Sequence, residues 1–188
     1  MDQTAKLYRD QDRILVKRED IAAKVKELAE TITRDYEGKE PLMVCVLKGA
    51  APFFTDLIRE IDLPLTTDFI ALSSYGSSTH TSGVVRLLKD LDGDIRGKDV
   101  ILVEDIVDTG VTLDFMRSML MDRGAASIRI ATLLDKPARR KVKDLKADYV
   151  CFDIPNEFVV GYGLDYSQKY RNLPDICALS PDVYEAEK

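Results

Sequence analysis

Glu104 and Asp105 stand side by side directly after the apolar run Val100–Val103, and Asp108-Thr109-Gly110-Val111-Thr112 follows two residues later. Two adjacent carboxylates delivered to the carboxyl end of a buried strand are costly unless something compensates their charge. A hydrated Mg²⁺ carried on a substrate phosphate would do so, and Mg²⁺ favours that mode over an all-protein cage. A neighbouring Lys or Arg would also serve. The small and hydroxylated residues that follow suit a phosphate, because free N–H groups point outward at a helix N-terminus and the helix dipole favours an anion. Gly110 permits close backbone approach, and Thr109 and Thr112 can donate hydroxyls. Each piece also has an ordinary reading: Asp108 and Thr109 are common helix caps, and paired acids often lie on loops for solubility. Set between a buried strand and an amphipathic helix, they read together as a site for a Mg²⁺-borne sugar phosphate.

Other residues with chemical potential are more dispersed. Lys48-Gly49 breaks the apolar run Leu42–Leu47, Lys136-Pro137 follows another such run, and Asp165 and Arg171 lie in GYGLDYSQKYR. Taken alone, the two lysines read as surface residues after strands, Asp165 and Arg171 as halves of surface ion pairs, and Phe158-Val159 as core. The stretch Ser73–Gly83, SSYGSSTHTSG, is the most polar of the chain and has only Tyr75 as a core-forming type. Its His80 is the one histidine, so no histidine metal cluster can form. No Ser-His-Asp or Cys-His arrangement is evident, no GxxxxGK[ST] occurs, and no GxGxxG follows a strand.

Positioning these residues requires strands and helices in alternation. A short strand is expected at Arg13–Val16. Ile21, Val25, Leu28, Ala29 and Ile32 recur at helical spacing within Arg18–Tyr36, with Gly38 as a stop. Leu42–Leu47 reads as a strand buried on both faces, then Pro52–Ile61 as a helix with Pro at its start. Strands are expected at Leu65–Leu72, Val84–Leu88, Val100–Val103, Ser127–Leu133 and Ala147–Ile154. A helix is expected at Thr112–Arg123, stopped by Gly124. This alternation predicts an α/β domain with a largely parallel sheet, whose ligands sit at the carboxyl ends of the strands.

The 188 residues fit one domain spanning 1–188, and 45% apolar with 32% charged residues is an ordinary globular balance. With net charge −6 the chain is a poor binder of nucleic-acid backbones, which need clustered cations. The densest basic patch is Arg139, Arg140, Lys141, Lys143 and Lys146, expected to be a solvated helix end or loop. Three widely spaced cysteines without a CxxC disfavour zinc ribbons and disulfide frameworks and suit a reducing, cytoplasmic compartment. The opening MDQTAKLYRD lacks the apolar core of a signal peptide. No apolar run approaches the roughly 20 residues that span a bilayer, so no membrane association is expected.

VILVEDIVDTGVT, Val100–Thr112, resembles the PRPP-binding motif of type I phosphoribosyltransferases: an apolar run, two acids, an apolar pair, then D-T-G-x-T. The likeness extends through VCVLKGAAPFFTDL, Ser73–Gly76, Leu87–Asp108, LLDKPAR and IPNEFVVGYGLDYSQKYR, roughly Leu15 to Pro174, and is to the hypoxanthine-guanine phosphoribosyltransferases in their bacterial form. The resemblance implies an α/β fold with a central mainly parallel sheet flanked by helices and a small hood formed by the chain ends. It implies purine salvage, with ribose 5-phosphate moving from PRPP to N9 of hypoxanthine, and of guanine, through an oxocarbenium-like transition state.

By the same resemblance, Glu104 and Asp105 face the ribose hydroxyls and Mg²⁺, and Asp108 lies near purine N7 as general base or acid. Asp108, Thr109, Gly110, Val111 and Thr112 cradle the 5′-phosphate, so that Asp108 serves both capping and proton transfer. The Leu47–Lys48 peptide can be cis, with the Lys48 and Gly49 amides reaching pyrophosphate; the family usually has a second glycine where Ala50 stands. Lys136 recognises the 6-oxo group, Phe158 and Val159 stack on and read the base, Asp165 serves a second Mg²⁺ site, and Arg171 binds pyrophosphate. Ser74 and Tyr75 belong to a mobile loop, 73–87, that closes over the site. The implied partners are PRPP and a 6-oxopurine, together with further copies of the chain in a dimer or tetramer. The alternative is a PRPP-sensing regulatory protein of the same fold, which should carry an added DNA-binding segment or a strong basic face.

Overall fold

The computed structural model describes residues 8–74 and 85–185. Tyr75, His80 and most of the 73–87 loop therefore lie outside the described residues. In chain order the elements are β1 (Gln11–Val16), α1 (Arg18–Asp35), β2 (Leu42–Leu47), α2 (Ala51–Glu60), β3 (Thr66–Ser74) and β4 (Val85–Lys89). Then come β5 (Asp99–Val107), α3 (Val111–Asp122), β6 (Ser127–Asp135), a 3₁₀ turn (Pro137–Arg139), β7 (Tyr149–Asp153), β8 (Val159–Val160), β9 (Ile176–Leu179) and α4 (Pro181–Glu185).

Six strands form one sheet in the order β4-β3-β2-β5-β6-β7. All neighbours are parallel except β3 and β4. The expected mainly parallel α/β sheet is thus present, with helices on both faces. Alternation along the strands sorts the core into two layers. Met43, Cys45, Ile101, Val103 and Leu133 face Ile21, Val25, Leu28 and Ile32 of α1 and Phe53 and Leu57 of α2. Val44, Val46, Val100, Leu102 and Ile130 face Leu113, Met116 and Leu120 of α3. Because both faces are covered, the central strands read as unbroken apolar runs.

A second, antiparallel sheet, β1-β9-β8, joins the two ends of the described chain and is the expected hood. It has its own small core of Val160, Leu173, Cys177 and Leu179. Buried Asp175 ties it to α1, accepting from the Arg18 backbone N–H at 2.8 Å, from the Arg18 guanidinium at 3.1 Å and from the Tyr8 hydroxyl. Burial pushes the Asp175 carboxyl up, but these donors outweigh it and hold the group below the usual range. Neither β8 nor β9 was expected as a strand. Val159–Val160 is only two residues long, and Ile176–Leu179 gives too short a run to separate strand from helix.

The three cysteines are free and buried. No helix among the described residues is long and apolar enough to cross a membrane.

Leu102 is fully buried at the middle of the central strand. Leu102→Ala should cost about 2–5 kcal/mol, the range for emptying a leucine site in a packed core. Urea unfolding should show the midpoint falling with the slope unchanged; a loss under about 1 kcal/mol would mean that the layer collapses around the gap.

Candidate active site

Strand β5 runs four residues past the expected end at Val103. Its pairing is one-sided there, and this makes the site. On one flank β2 follows β5 only to the pair Cys45–Val103, whereas β6 continues alongside from Glu104–Thr132 to Val107–Asp135. Beyond Val103 the β2 flank of β5 is left to the Lys48-Gly49 turn. Glu104 and Asp105 therefore project from a strand and not from a loop, held by the β6 ladder.

The Leu47–Lys48 peptide is cis. Gly49 comes so near Asp105 that a β-carbon on it would fall 1.5 Å from Asp105 Oδ2. Gly163 of the hood presses on the other side of the same turn, and its own β-carbon would fall 2.0 Å from the Gly49 carbonyl oxygen. Gly49 is thus bare on the side of the Asp105 carboxylate, and Gly163 is bare on the side of the Gly49 carbonyl. Arg171 braces it, donating to the Gly163 carbonyl at 2.7 Å and pairing with Asp165 at 2.7 Å. Gln168 N–H donates to Asp165 Oδ2 at 2.8 Å. Lys48 is exposed, with its ammonium 3.5 Å from Gln168 Oε1. Lys48, Gly49, Asp105, Asp165 and Arg171, scattered through the sequence, thus share one neighbourhood.

Charge in this neighbourhood is poorly compensated. Burial pushes the Glu104 carboxyl well above the usual range, and the negative charge of Asp105 adds to the effect. Burial also raises Asp105, although its hydrogen bonds with Glu104 and Ile106 N–H and the positive charge of Arg171 oppose this. The pair accepts local backbone donors, Asp105 N–H at 3.1 Å and Ile106 N–H at 2.7 Å. Among the described residues no cluster of three or more His, Cys, Asp or Glu side chains is arranged to hold a metal ion. The acids form an oxygen-donor pair without a protein cage.

Two cavities flank the end of β5. One, of about 110 Å³, is lined by Glu104, Asp108, Thr109, Gly110, Thr112 and neighbouring apolar groups. The other, of about 220 Å³, is lined by Asp105, Asp108, Lys136, Phe158, Val159 and Asp165, with Ile106 and Leu164. Strand alternation sends Glu104 to the first and Asp105 to the second. Ile106 and Asp108 border both. In the larger cavity Lys136 is buried and its ammonium donates to the Glu157 carbonyl at 2.6 Å. Burial lowers its pKa, while Asp108 acts the other way. Phe158 is not core: it is 41% exposed, and Val159 beneath it is buried.

Two sequence expectations need correction here. Asp108 does not cap α3. The cap position is Gly110, in a left-handed conformation at φ 81° and without a side-chain cap bond, so the chain has turned away from Asp108 before the helix begins. Thr109 reaches the Val111 N–H only at 3.5 Å. Nor is the basic patch uniformly solvated. Lys141, Lys143 and Lys146 are exposed, but Arg140 donates to the Asp108 carbonyl at 2.9 Å and pairs with Asp135. Arg139 pairs with the Asp108 carboxylate at 3.1 Å. Lys141 N–H adds a 2.9 Å bond to the Thr109 carbonyl. These residues brace the Asp108–Gly110 turn. The signal available in sequence was their proximity to Lys136, but nothing in composition separates a bracing arginine from a solvated one.

The raised carboxyls have a consequence for stability. An unfolded glutamate ionises near its ordinary value of 4.5, whereas folded Glu104 still holds its proton there. Between those two values the folded state binds more protons, so rising pH costs stability, and above the folded value the penalty is complete. Glu104→Gln should therefore raise the melting temperature of metal-free protein at pH 7, by about 2–4 °C per kcal/mol of relieved penalty for a chain of this size. The gain should shrink towards pH 4. A variant destabilised at both pH values would contradict this account.

The Phosphoribosyl transferase domain family matches the chain over residues 13–167. A hypoxanthine-guanine phosphoribosyltransferase of Streptococcus thermophilus is 54% identical over 178 residues, which cover 95% of this chain and 98% of that protein. A hypoxanthine phosphoribosyltransferase structure from Staphylococcus aureus superposes with TM-score 0.92 at 47% identity, covering 97% of this chain and 99% of that one. One from Bacillus anthracis, a hypoxanthine-guanine phosphoribosyltransferase, gives 0.86 at 51% identity over 90% and 99%. With a family match over most of its length, near-complete coverage by these relatives and their fold, the chain belongs to the phosphoribosyltransferase family, in its hypoxanthine-guanine group.

Proposed function

We propose that the chain transfers ribose 5-phosphate from PRPP to N9 of hypoxanthine, and of guanine, releasing pyrophosphate and forming IMP or GMP. The observation that carries the reading is the position of Asp108 on the border of two cavities. One has the small, hydroxylated turn that suits a phosphate, and the other has the cation and aromatic ring that suit a 6-oxopurine. A ribose joining the two ligands would lie across that border, beside Ile106 and Asp108.

Each residue then has a part. Thr109, Gly110, Val111 and Thr112 receive the 5′-phosphate at the start of α3. Lys48 and Gly49 offer amides, and Arg171 its planar donors, to pyrophosphate. Lys136 donates to the 6-oxo group, which disfavours adenine because its 6-amino group is itself a donor. Phe158 stacks on the base and Val159 reads it through its backbone. Asp108 holds or accepts the proton at N7, and Ser74 and Tyr75 belong to the 73–87 segment that would exclude water over the site. No protein nucleophile is required, since positioning and charge neutralisation supply the rate.

The oxygen donors of Glu104 and Asp105, half-buried and without a protein cage among the described residues, suit a Mg²⁺ ion that arrives on PRPP, with Asp165 as the residue for a second. Bound there, Mg²⁺ would neutralise charge on the leaving pyrophosphate. A cytoplasmic setting is supported by the three free thiols. Assembly as a dimer or tetramer, and the extent of the single domain over 1–188, rest on the family resemblance.

Purified protein supplied with PRPP and Mg²⁺ should release pyrophosphate with hypoxanthine and guanine and not with adenine; silence with every 6-oxopurine sinks the reading. Asp108→Asn should lower kcat by roughly 10²–10⁴-fold, the usual worth of general acid–base catalysis, with PRPP affinity much less affected. Equal losses in both would reduce Asp108 to a builder of the phosphate turn.

A further inference from the structure

We propose that Tyr184, in the short C-terminal helix α4, is a positioning residue for base recognition, acting through Phe158. The inference rests on the reading of Phe158 as the purine-stacking residue. Tyr184 lies 13 residues beyond Arg171, the last of the site residues in the chain.

The geometry is specific. The rings of Phe158 and Tyr184 are stacked, with centroids 5.6 Å apart and planes 27° from parallel. Tyr166 meets the same Phe158 ring edge-on, at 5.5 Å and 89°. Both are arrangements that aromatic pairs prefer. Tyr184 does not line the larger cavity, whereas Phe158 does. A stacked partner takes one face of the Phe158 ring, and a purine in the cavity would take the other.

The backbone explains how Tyr184 reaches this place. Leu179, the last residue of β9, donates its N–H to the Phe158 carbonyl at 2.9 Å. Ser180 ends the strand, and α4 then turns the chain back, with Val183 N–H on the Ser180 carbonyl at 3.0 Å. Five residues after Leu179, the Tyr184 ring lies over the ring of the residue that Leu179 pairs with. Val183 and Tyr184 also pack on the hood core of Val160, Leu173, Cys177 and Leu179, which anchors the helix.

The benefit is preorganisation. A phenylalanine that is 41% exposed would otherwise sample several rotamers, and a ligand stacking on it would have to select one. Held between Tyr184 and Tyr166, the ring presents a fixed face before the base arrives. Because Tyr184 does not line the cavity proposed for the base, its effect belongs in purine affinity.

The test compares the wild type with Tyr184→Ala, Tyr184→Leu and Tyr184→Phe, measuring kcat and KM separately for hypoxanthine and PRPP. Wild-type turnover of hypoxanthine comes first, because its absence defeats the proposed function and not this inference. Tyr184→Ala should raise KM for hypoxanthine about fivefold, the scale of one aromatic pair, with kcat and KM for PRPP within about twofold. Tyr184→Leu keeps the apolar anchor without the ring and should show the same split, so it decides the matter if the alanine variant folds poorly. Tyr184→Phe should restore the wild-type value. An unchanged or lowered KM for hypoxanthine, a parallel rise in both KM values, or failure of Tyr184→Phe to restore would each overturn the proposal.

Discussion

The pair of half-buried carboxylates at Glu104 and Asp105 is the constraint around which the rest of the site is arranged. Two like charges on consecutive residues of a central strand are unfavourable in any fold that leaves them only local backbone donors. Here the strand ladder on the β6 side holds them in place, and the withdrawal of β2 after Cys45 leaves their other side open. That opening gives the Gly49 turn room to lie against Asp105, and Arg171 is the positive charge that acts on Asp105 there. The energy stored in the pair is a reason for the protein to be less stable than its core permits, and it is also what makes the site receptive to a cation carried by a substrate.

Much of this was legible in the sequence because the central strands obey simple rules. Leu42–Leu47 matches β2 residue for residue, since a strand buried on both faces must be continuously apolar and its ends are marked by Pro41 and by Lys48-Gly49. The three longer helices were found within one or two residues because their apolar positions keep a 3.6-residue period, whereas the five-residue α4 was not expected. The far end of β5 was not found. Glu104 and Asp105 look like a loop to any rule based on polarity, yet one neighbouring strand is enough to hold them extended. The hood strands β8 and β9 escaped for the opposite reason, being apolar but too short to show a period.

The candidate site divides in the same way. Residues adjacent in sequence, such as the turn from Asp108 to Thr112, carry their own signature. Lys48, Lys136, Asp165 and Arg171 each have an ordinary surface reading, and only the resemblance to a family set them in one place. Arg139 and Arg140 show the limit of composition, because their braces to Asp108 depend on how the segment after Lys136 folds back. Tyr184 shows it again, since its contact with Phe158 is made through a strand pair and a reversed turn that no local pattern announces.

The contact of Gly49 with Gly163 joins the main sheet to the hood through backbone alone. Elsewhere two layers that meet through side chains can drift apart and repack as those side chains vary, so their relative placement is a compromise among many residues. A methyl on Gly163 would fall on the Gly49 carbonyl oxygen, whereas a methyl on Gly49 would fall on the Asp105 carboxylate. The approach of hood to turn is therefore set by the thickness of a peptide, and the approach of the turn to β5 by the carboxylate that it must clear. A substitution at either position has to displace a different neighbour, backbone in the first case and a side chain of the candidate site in the second.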